Sequence, residues 1–142
     1  MGKRVLVPVD GSEQAHRAFE FVADEYSDAT VVLLHVVNPT EAGYSAQASL
    51  PSFSEEWYEG EKAAAEELFD EIAALATGTE VSFERAVEVG KPTRVIVEFA
   101  DEEGVDQIVM GSHGRSGVTR ILLGSVAEAV VRRSPVPVTV VR

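Results

Sequence analysis

Cysteine is absent from the 142-residue chain, which excludes a disulfide framework, a thiolate zinc site, an iron–sulfur centre and a cysteine nucleophile. Long apolar runs are missing too: none approaches the ~18 residues of a membrane-spanning helix. The opening MGKRVLVPVD reaches Asp10 after five apolar residues, too few for a signal-peptide core. Leu6 stands where a myristoylation motif beginning at Gly2 needs Ser or Thr. A cytoplasmic protein without a lipid anchor is the expectation. Histidine is sparse and scattered: His16, His35 and His113 fall on a helix, a strand and a loop without ligand spacing, so no protein-built metal site is expected. Length and a hydrophobic content of 45% fit a single globular domain over residues 1–142.

Positive charge is also in short supply. Twelve Lys and Arg face 24 Asp and Glu, for a net charge of -12. Nucleic acid and anionic membrane drop out as partners, because both need a basic surface. The deficit is uneven. Residues 1–106 hold 23 acids and 7 bases, a net -16, whereas residues 107–142 hold Glu128 alone against Arg115, Arg120, Arg132, Arg133 and Arg142, a net +4. Two readings stand side by side: a place for an anionic ligand in a field that otherwise repels it, or buried strands that carry no surface acids. Lysine occurs only at positions 3, 62 and 91, and this acidic, lysine-poor composition resembles that of salt-adapted microbes; an ordinary acidic protein is the other reading.

Two hydrophobic periods alternate along the chain. Lys3–Val9, Thr30–Val37, Val81–Glu88, Gln107–Gly111 and Val136–Val141 read as valine-rich strands bounded by Gly, Pro, Asn or Asp. Between them, Glu13–Tyr26 puts Ala15, Ala18, Phe19 and Val22 on one helical face behind a Ser12 N-cap. Ser54–Ala76 spaces Trp57, Ala64, Leu68, Ile72 and Leu75 near the helical period. A third helix starts at Pro92, carries Val95, Ile96 and Phe99 and stops at Gly104; a fourth starts near Ser125 and ends before Pro135. The βαβαβαβαβ order predicts an α/β fold with one open five-stranded parallel sheet and helices on both faces.

Strand composition orders the sheet. VVLLHVV and QIVM are apolar on both faces, as interior parallel strands are, whereas Val81, Phe83, Arg85 and Val87 alternate with Ser82, Glu84, Ala86 and Glu88. The third strand is therefore an edge. Pro137 inside the fifth strand removes a ladder donor and makes that strand an edge as well. These edges favour the order 3-2-1-4-5 over 2-1-3-4-5, which exposes the apolar second strand. In 3-2-1-4-5 the order reverses between strands one and four, and ligands of open α/β sheets bind in that crevice, beyond the carboxyl ends of the strands.

The residues entering the crevice are informative. Asp10 follows strand one directly, and Gly111-Ser112-His113-Gly114-Arg115-Ser116-Gly117 follows strand four, with Gly124-Ser125 opening the last helix. Glycines admit backbone N–H groups to an anion, and a helix start adds unpaired N–H groups and a positive dipole end, a combination suited to phosphate; tight turns are the alternative use of the same glycines. Asp10 can accept from sugar hydroxyls. Other phosphate motifs fail. Gly90-Lys91-Pro92-Thr93 lacks the glycine cradle of a P-loop, and Gly-x-Gly-x-x-Gly is absent. Residues 38–53 are long enough for a lid or form a mobile loop, and His113 and Arg115 either reach phosphate or point into water.

The spacing Gly111-x2-Gly114-x9-Gly124-Ser125, with Val5-Leu6-Val7-Pro8-Val9-Asp10-Gly11-Ser12 and Val109-Met110-Gly111-Ser112-His113-Gly114, resembles the ATP-binding branch of the universal stress protein family over essentially the whole chain. The resemblance implies the adenine nucleotide alpha hydrolase-like fold, related to the Rossmann fold. It implies that Asp10 and Gly111 hold the ribose, the backbone of Val36 meets the adenine edge, and Pro8 and Met110 line the nucleoside pocket. It further implies that Gly114, Gly124, Ser125 and Val126 contact phosphates. The ligand expected is ATP, or AMP or ADP, with Mg²⁺ held by the phosphates. No catalytic residue is assigned, since hydrolysis wants a base and Asp10 is the one carboxylate near the glycine loop. A nucleotide-dependent regulatory switch with an unidentified protein partner is the leading expectation. The alternatives are a slow Mg²⁺-dependent ATPase or self-phosphorylating enzyme, with Ser112, Ser116 or Thr119 as acceptor, and a purely structural dimer. A homodimer through the last strand is expected, with Val136, Val138 and Val140 on one face.

The charge imbalance has a measurable consequence. The Debye length falls from ~10 Å at 0.1 M salt to ~3 Å at 1 M, so repulsion among the acids is screened and the melting temperature is expected to rise steeply from dilute buffer to molar KCl. A flat melting curve series removes the salt-adapted reading.

Overall fold

Strands and helices alternate strictly in the computed structural model, which describes residues 2–39, 55–112 and 123–142. The elements are β1 (Arg4–Pro8), α1 (Glu13–Glu25), β2 (Thr30–Val37), α2 (Glu55–Leu75), β3 (Ser82–Val89), α3 (Pro92–Glu102), β4 (Gln107–Gly111), α4 (Ser125–Arg133) and β5 (Val138–Val141). All strands pair in parallel, in the order β3-β2-β1-β4-β5. That is the α/β sheet expected from the alternation of periods, with β3 and β5 at the edges.

Each face of the sheet has its own core. Val5, Val7, Val31, Leu33 and Val109 pack on one side against Ala15, Ala18, Phe19 and Val22 of α1 and Ala65, Phe69 and Ile72 of α2. Leu6, Val32, Leu34, Ile108 and Met110 pack on the other against Val95, Ile96 and Ala100 of α3 and Ala127 and Val130 of α4. Neighbouring residues of β1, β2 and β4 are buried on both faces, which explains their uninterrupted apolar runs. Among the described residues no helix is long and apolar enough to cross a membrane.

Two details depart from the sequence reading. The buried face of α2 is Ala65, Phe69 and Ile72, continuing to Ala76; Ala64 is exposed and Leu75 is 45% exposed. The helix turns to insert Phe69, its bulkiest buried side chain. Arg85 of β3 lies over that ring, 5.7 Å from its centroid, while donating to Asp70 at 2.9 Å and to Glu66 at 3.3 Å. The hydrogen bonds that Arg85 donates, foremost to Asp70 and then to Glu66, raise its pKa further above the ordinary value, and they tie the edge strand to α2. The second departure is Pro137, which precedes β5 instead of lying inside it. There its missing N–H costs the ladder nothing, and its carbonyl still accepts the Ile108 N–H at 2.9 Å.

The corrected face of α2 predicts unequal costs for two truncations. Phe69→Ala should destabilise by ~3–5 kcal/mol, as expected for a fully buried aromatic, and Leu75→Ala by well under ~1 kcal/mol. Denaturant titration of both variants measures the difference, and equal losses contradict this packing.

Candidate functional site

Backbone pairing of β1 ends earlier on its β4 side than on its β2 side. Arg4 accepts the Asp106 N–H through its carbonyl and Val9 donates to the Leu34 carbonyl at 2.9 Å, so the even residues of β1 turn their backbone groups toward β4 and the odd ones toward β2. Pro8 is even, and its absent N–H falls on the β4 side. Registered pairs between β1 and β4 end at Leu6 and Ile108, and the two strands part beyond them. On the β2 side, the Val9 carbonyl accepts from Nδ1 of the buried His35 at 2.9 Å.

Side chains converge around this opening. Pro8, Val36 and Met110 lie at the carboxyl ends of β1, β2 and β4, on the sheet face that α3 and α4 cover, and Val36 and Met110 belong to that core. Asp10 follows at the mouth. Its Oδ1 accepts the Ser12 N–H at 3.0 Å, and Gly11 makes the turn between them at φ +85°. Ser12 then caps α1, its Oγ accepting the Ala15 N–H at 3.2 Å. The first turn of α1 presses against the end of β4. A Cβ on Gly111 would collide with the Cβ of Gln14 and lie 2.9 Å from its backbone carbon, so this approach requires glycine.

The end of β4 is joined to the start of α4. Ser112 donates its N–H to the Val141 carbonyl at 2.8 Å and accepts the Gly124 N–H at 2.7 Å, which closes the chain between positions 112 and 124. Gly124 is the N-cap of α4 and makes no side-chain capping hydrogen bond. This N-cap therefore offers no side chain to the N–H groups of the first turn, at Ser125, Val126 and Ala127, in contrast to Ser12 of α1. An uncapped helix start attracts anions through these donors and the helix dipole. The acid of that turn, Glu128, is held by Arg132 at 3.0 Å. Among the described residues, no group of three or more His, Asp or Glu side chains is placed to hold a metal ion.

The structure thus brings Pro8, Asp10, Val36, Met110, Gly111, Gly124, Ser125 and Val126 to one end of the sheet, around the β1/β4 crevice. Gly114, His113, Arg115, Ser116, Thr119 and nearly all of the predicted lid segment, from position 40 on, lie outside the described residues. Two contributors were not foreseen. Gln14 is the partner that makes Gly111 obligatory, and the Ser112 backbone is the junction of β4, β5 and α4; both contacts link distant stretches of chain and leave no local sequence signal. His35 is buried, and its ring meets the Val9 carbonyl at the end of β1.

The family model of the Universal stress protein family matches residues 1–142. Universal stress protein MJ0531 of Methanocaldococcus jannaschii is 35% identical over 144 residues, covering 99% of this chain and 82% of the relative. Universal stress protein MJ0577 of the same organism is 33% identical over 155 residues, covering 100% of this chain and 96% of the relative. The solved structure of MJ0577 matches with a TM-score of 0.84 at 35% identity, over 99% of this chain and 96% of its own. A universal stress protein solved in complex with cAMP matches with a TM-score of 0.65 at 28% identity, over 100% of this chain and 98% of its own.

Proposed function

Because this chain belongs to the universal stress protein family of stress-response proteins, we propose that it binds an adenine nucleotide in the β1/β4 crevice and regulates a protein partner through the difference between its bound and free surfaces. The observation that carries this reading is the uncapped first turn of α4, held beside the end of β4 by the Ser112–Gly124 hydrogen bond. The cAMP complex of a relative supports the choice of an adenine ligand.

The proposed roles are those that the family resemblance implies. Pro8 and Met110 wall the nucleoside, the backbone of Val36 meets the base edge, and the Asp10 carboxylate accepts from ribose hydroxyls above Gly111. The N–H groups following Gly124, with the hydroxyl of Ser125 and the backbone of Val126, receive phosphate, and Gly114, which lies outside the described residues, is assigned to the same ligand by its motif spacing alone. Mg²⁺, when bound, neutralises phosphate charge and is held by the phosphates. Of these residues only Asp10 carries a carboxylate, and it is engaged by Ser12 and by ribose. Binding is favoured over turnover for that reason: no second carboxylate in the set is available to activate water.

Asp10→Ala is expected to weaken adenosine and ATP alike by ~1.5–3 kcal/mol, the worth of a hydrogen bond to a charged group, whereas Ser125→Ala should cost ATP more than adenosine. Gly124→Val should abolish ATP binding while leaving the fold intact, because Gly124 has φ -66°, a conformation valine adopts readily. Calorimetry on the folded variants tests all three. Unchanged ATP affinity in Gly124→Val defeats the assignment.

The open edge of β5 is proposed to pair with a second copy across a two-fold axis, which covers its unpaired backbone groups. Val136 and Val138 are partly buried against the α3/α4 core, which leaves Val140 and the strand backbone for the partner. Val140→Lys should convert a dimer to a monomer at micromolar concentration, measured by light scattering in high salt; a monomeric parent protein contradicts the pairing.

A further inference from the structure

We propose that His35 is a positioning residue of the crevice: its imidazole takes the Val9 carbonyl and thereby leaves the N–H of Val36 directed at the opening beyond β1. The ladder between β1 and β2 shows why. Thr30 donates to the Lys3 carbonyl at 2.8 Å and Val9 to the Leu34 carbonyl at 2.9 Å, so the even residues of β2 face β1 throughout. The next rung of that parallel pattern is Val36 N–H to Val9 carbonyl. It is not formed; the Val9 carbonyl is met by His35 Nδ1 at 2.9 Å instead.

Three features make this substitution of a side chain for a rung specific. A carbonyl only accepts, so Nδ1 carries the proton and, in the neutral ring, Nε2 does not. His35 is 9% exposed, so the bond is shielded from water. Val36 stays extended although its β1 partner has turned away, because the other edge of β2 remains paired: Val36 and Val37 register with Glu88 and Val89, and Gly90 donates to the Val37 carbonyl at 2.9 Å. The N–H is thus held in a fixed direction by β3 while His35 keeps its ladder acceptor occupied. Its use for reading the edge of a base rests on the nucleotide function proposed above; the release of the N–H does not.

The test uses the full chain and the variants His35→Asn, whose side-chain amide can replace the Nδ1 donor, and His35→Leu, which removes it while filling the space. Nitrogen NMR of the wild-type ring is expected to show the Nδ1-protonated tautomer, and hydrogen exchange to show Val36 unprotected without ligand. In His35→Leu the Val36 amide should pair with Val9 and exchange at least about tenfold more slowly, and adenosine affinity should fall roughly tenfold, the worth of one hydrogen bond. His35→Asn should retain both wild-type values. A histidine that merely packs leaves Val36 exchange unmoved. An Nε2-protonated ring, equal Val36 exchange in wild type and His35→Leu, or equal adenosine affinity in the two overturns the proposal. A wild-type protein that binds no adenosine yet shows the predicted tautomer and exchange refutes the nucleotide reading and upholds the role of His35.

Discussion

The point at which β1 ceases to hydrogen-bond sets everything at the carboxyl end of the sheet. A central parallel strand normally pairs along both edges to its end, and its neighbours then close over it. Here Pro8 ends the pairing toward β4 by lacking a donor, and His35 ends it toward β2 by capturing an acceptor. Both interruptions fall within two residues, just where the strand order reverses. The crossover from β1 leads to one side of the sheet and those flanking β4 to the other, so the described helices diverge at this point. The opening is therefore a product of topology, and the two side chains keep the backbone from zipping it shut.

What surrounds the opening is rigid for separate reasons. The sheet beneath it is buried on both faces, with Val5, Leu6, Val7, Leu33, Leu34, Ile108 and Val109 completely shielded from solvent. The first turn of α1 is locked against Gly111 by contact at the limit of approach, and Ser12 satisfies a donor at its start. The start of α4 is fixed by Ser112 but left without a cap. With glycine as its N-cap, α4 gives up only about a few tenths of a kcal/mol relative to a helix capped by a side chain. An arriving anion recovers that energy without rearranging the backbone, because the donors already point the same way.

The sheet order was legible because its evidence is compositional. Alternation of Ser82, Glu84 and Glu88 with Phe83 and Val87 marks an edge, and the unbroken VVLLHVV marks an interior strand, whatever the details of packing. The face of α2 was not legible. Ala63, Ala64 and Ala65 are adjacent, Leu68 is adjacent to Phe69, and Leu75 to Ala76, so two stripes one residue apart satisfy the helical period about equally. The choice between them is made by the ring of Phe69 and by Arg85 from a strand distant in sequence. Pro137 was misplaced by a single step for a similar reason: a proline near an edge strand satisfies the same rule inside the strand or at its entrance. Most of the site residues came from motif spacing, whereas His35, Gln14 and Ser112 act through contacts that only the folded chain creates.

Ser112 gives the proposed regulation a physical dimension. Its N–H is bound to Val141 of β5 and its carbonyl to Gly124 at the start of α4, so one residue connects the first turn of α4 to the last strand of the sheet. In the proposed nucleotide-bound state, phosphate on the N–H groups after Gly124 would act on the same residue whose N–H aligns β5. A ligand shifts an equilibrium only by its differential affinity for two arrangements, and the hydrogen bonds through Ser112 are short, buried and few. Coupling on this route is thus limited to the strength of one or two such bonds, on the order of 1–3 kcal/mol. That is enough to change partner affinity by about tenfold or somewhat more, and too little to reorganise the sheet. The proposed regulation would therefore alter what the sheet edge and the α4 surface present while the two cores stay as they are.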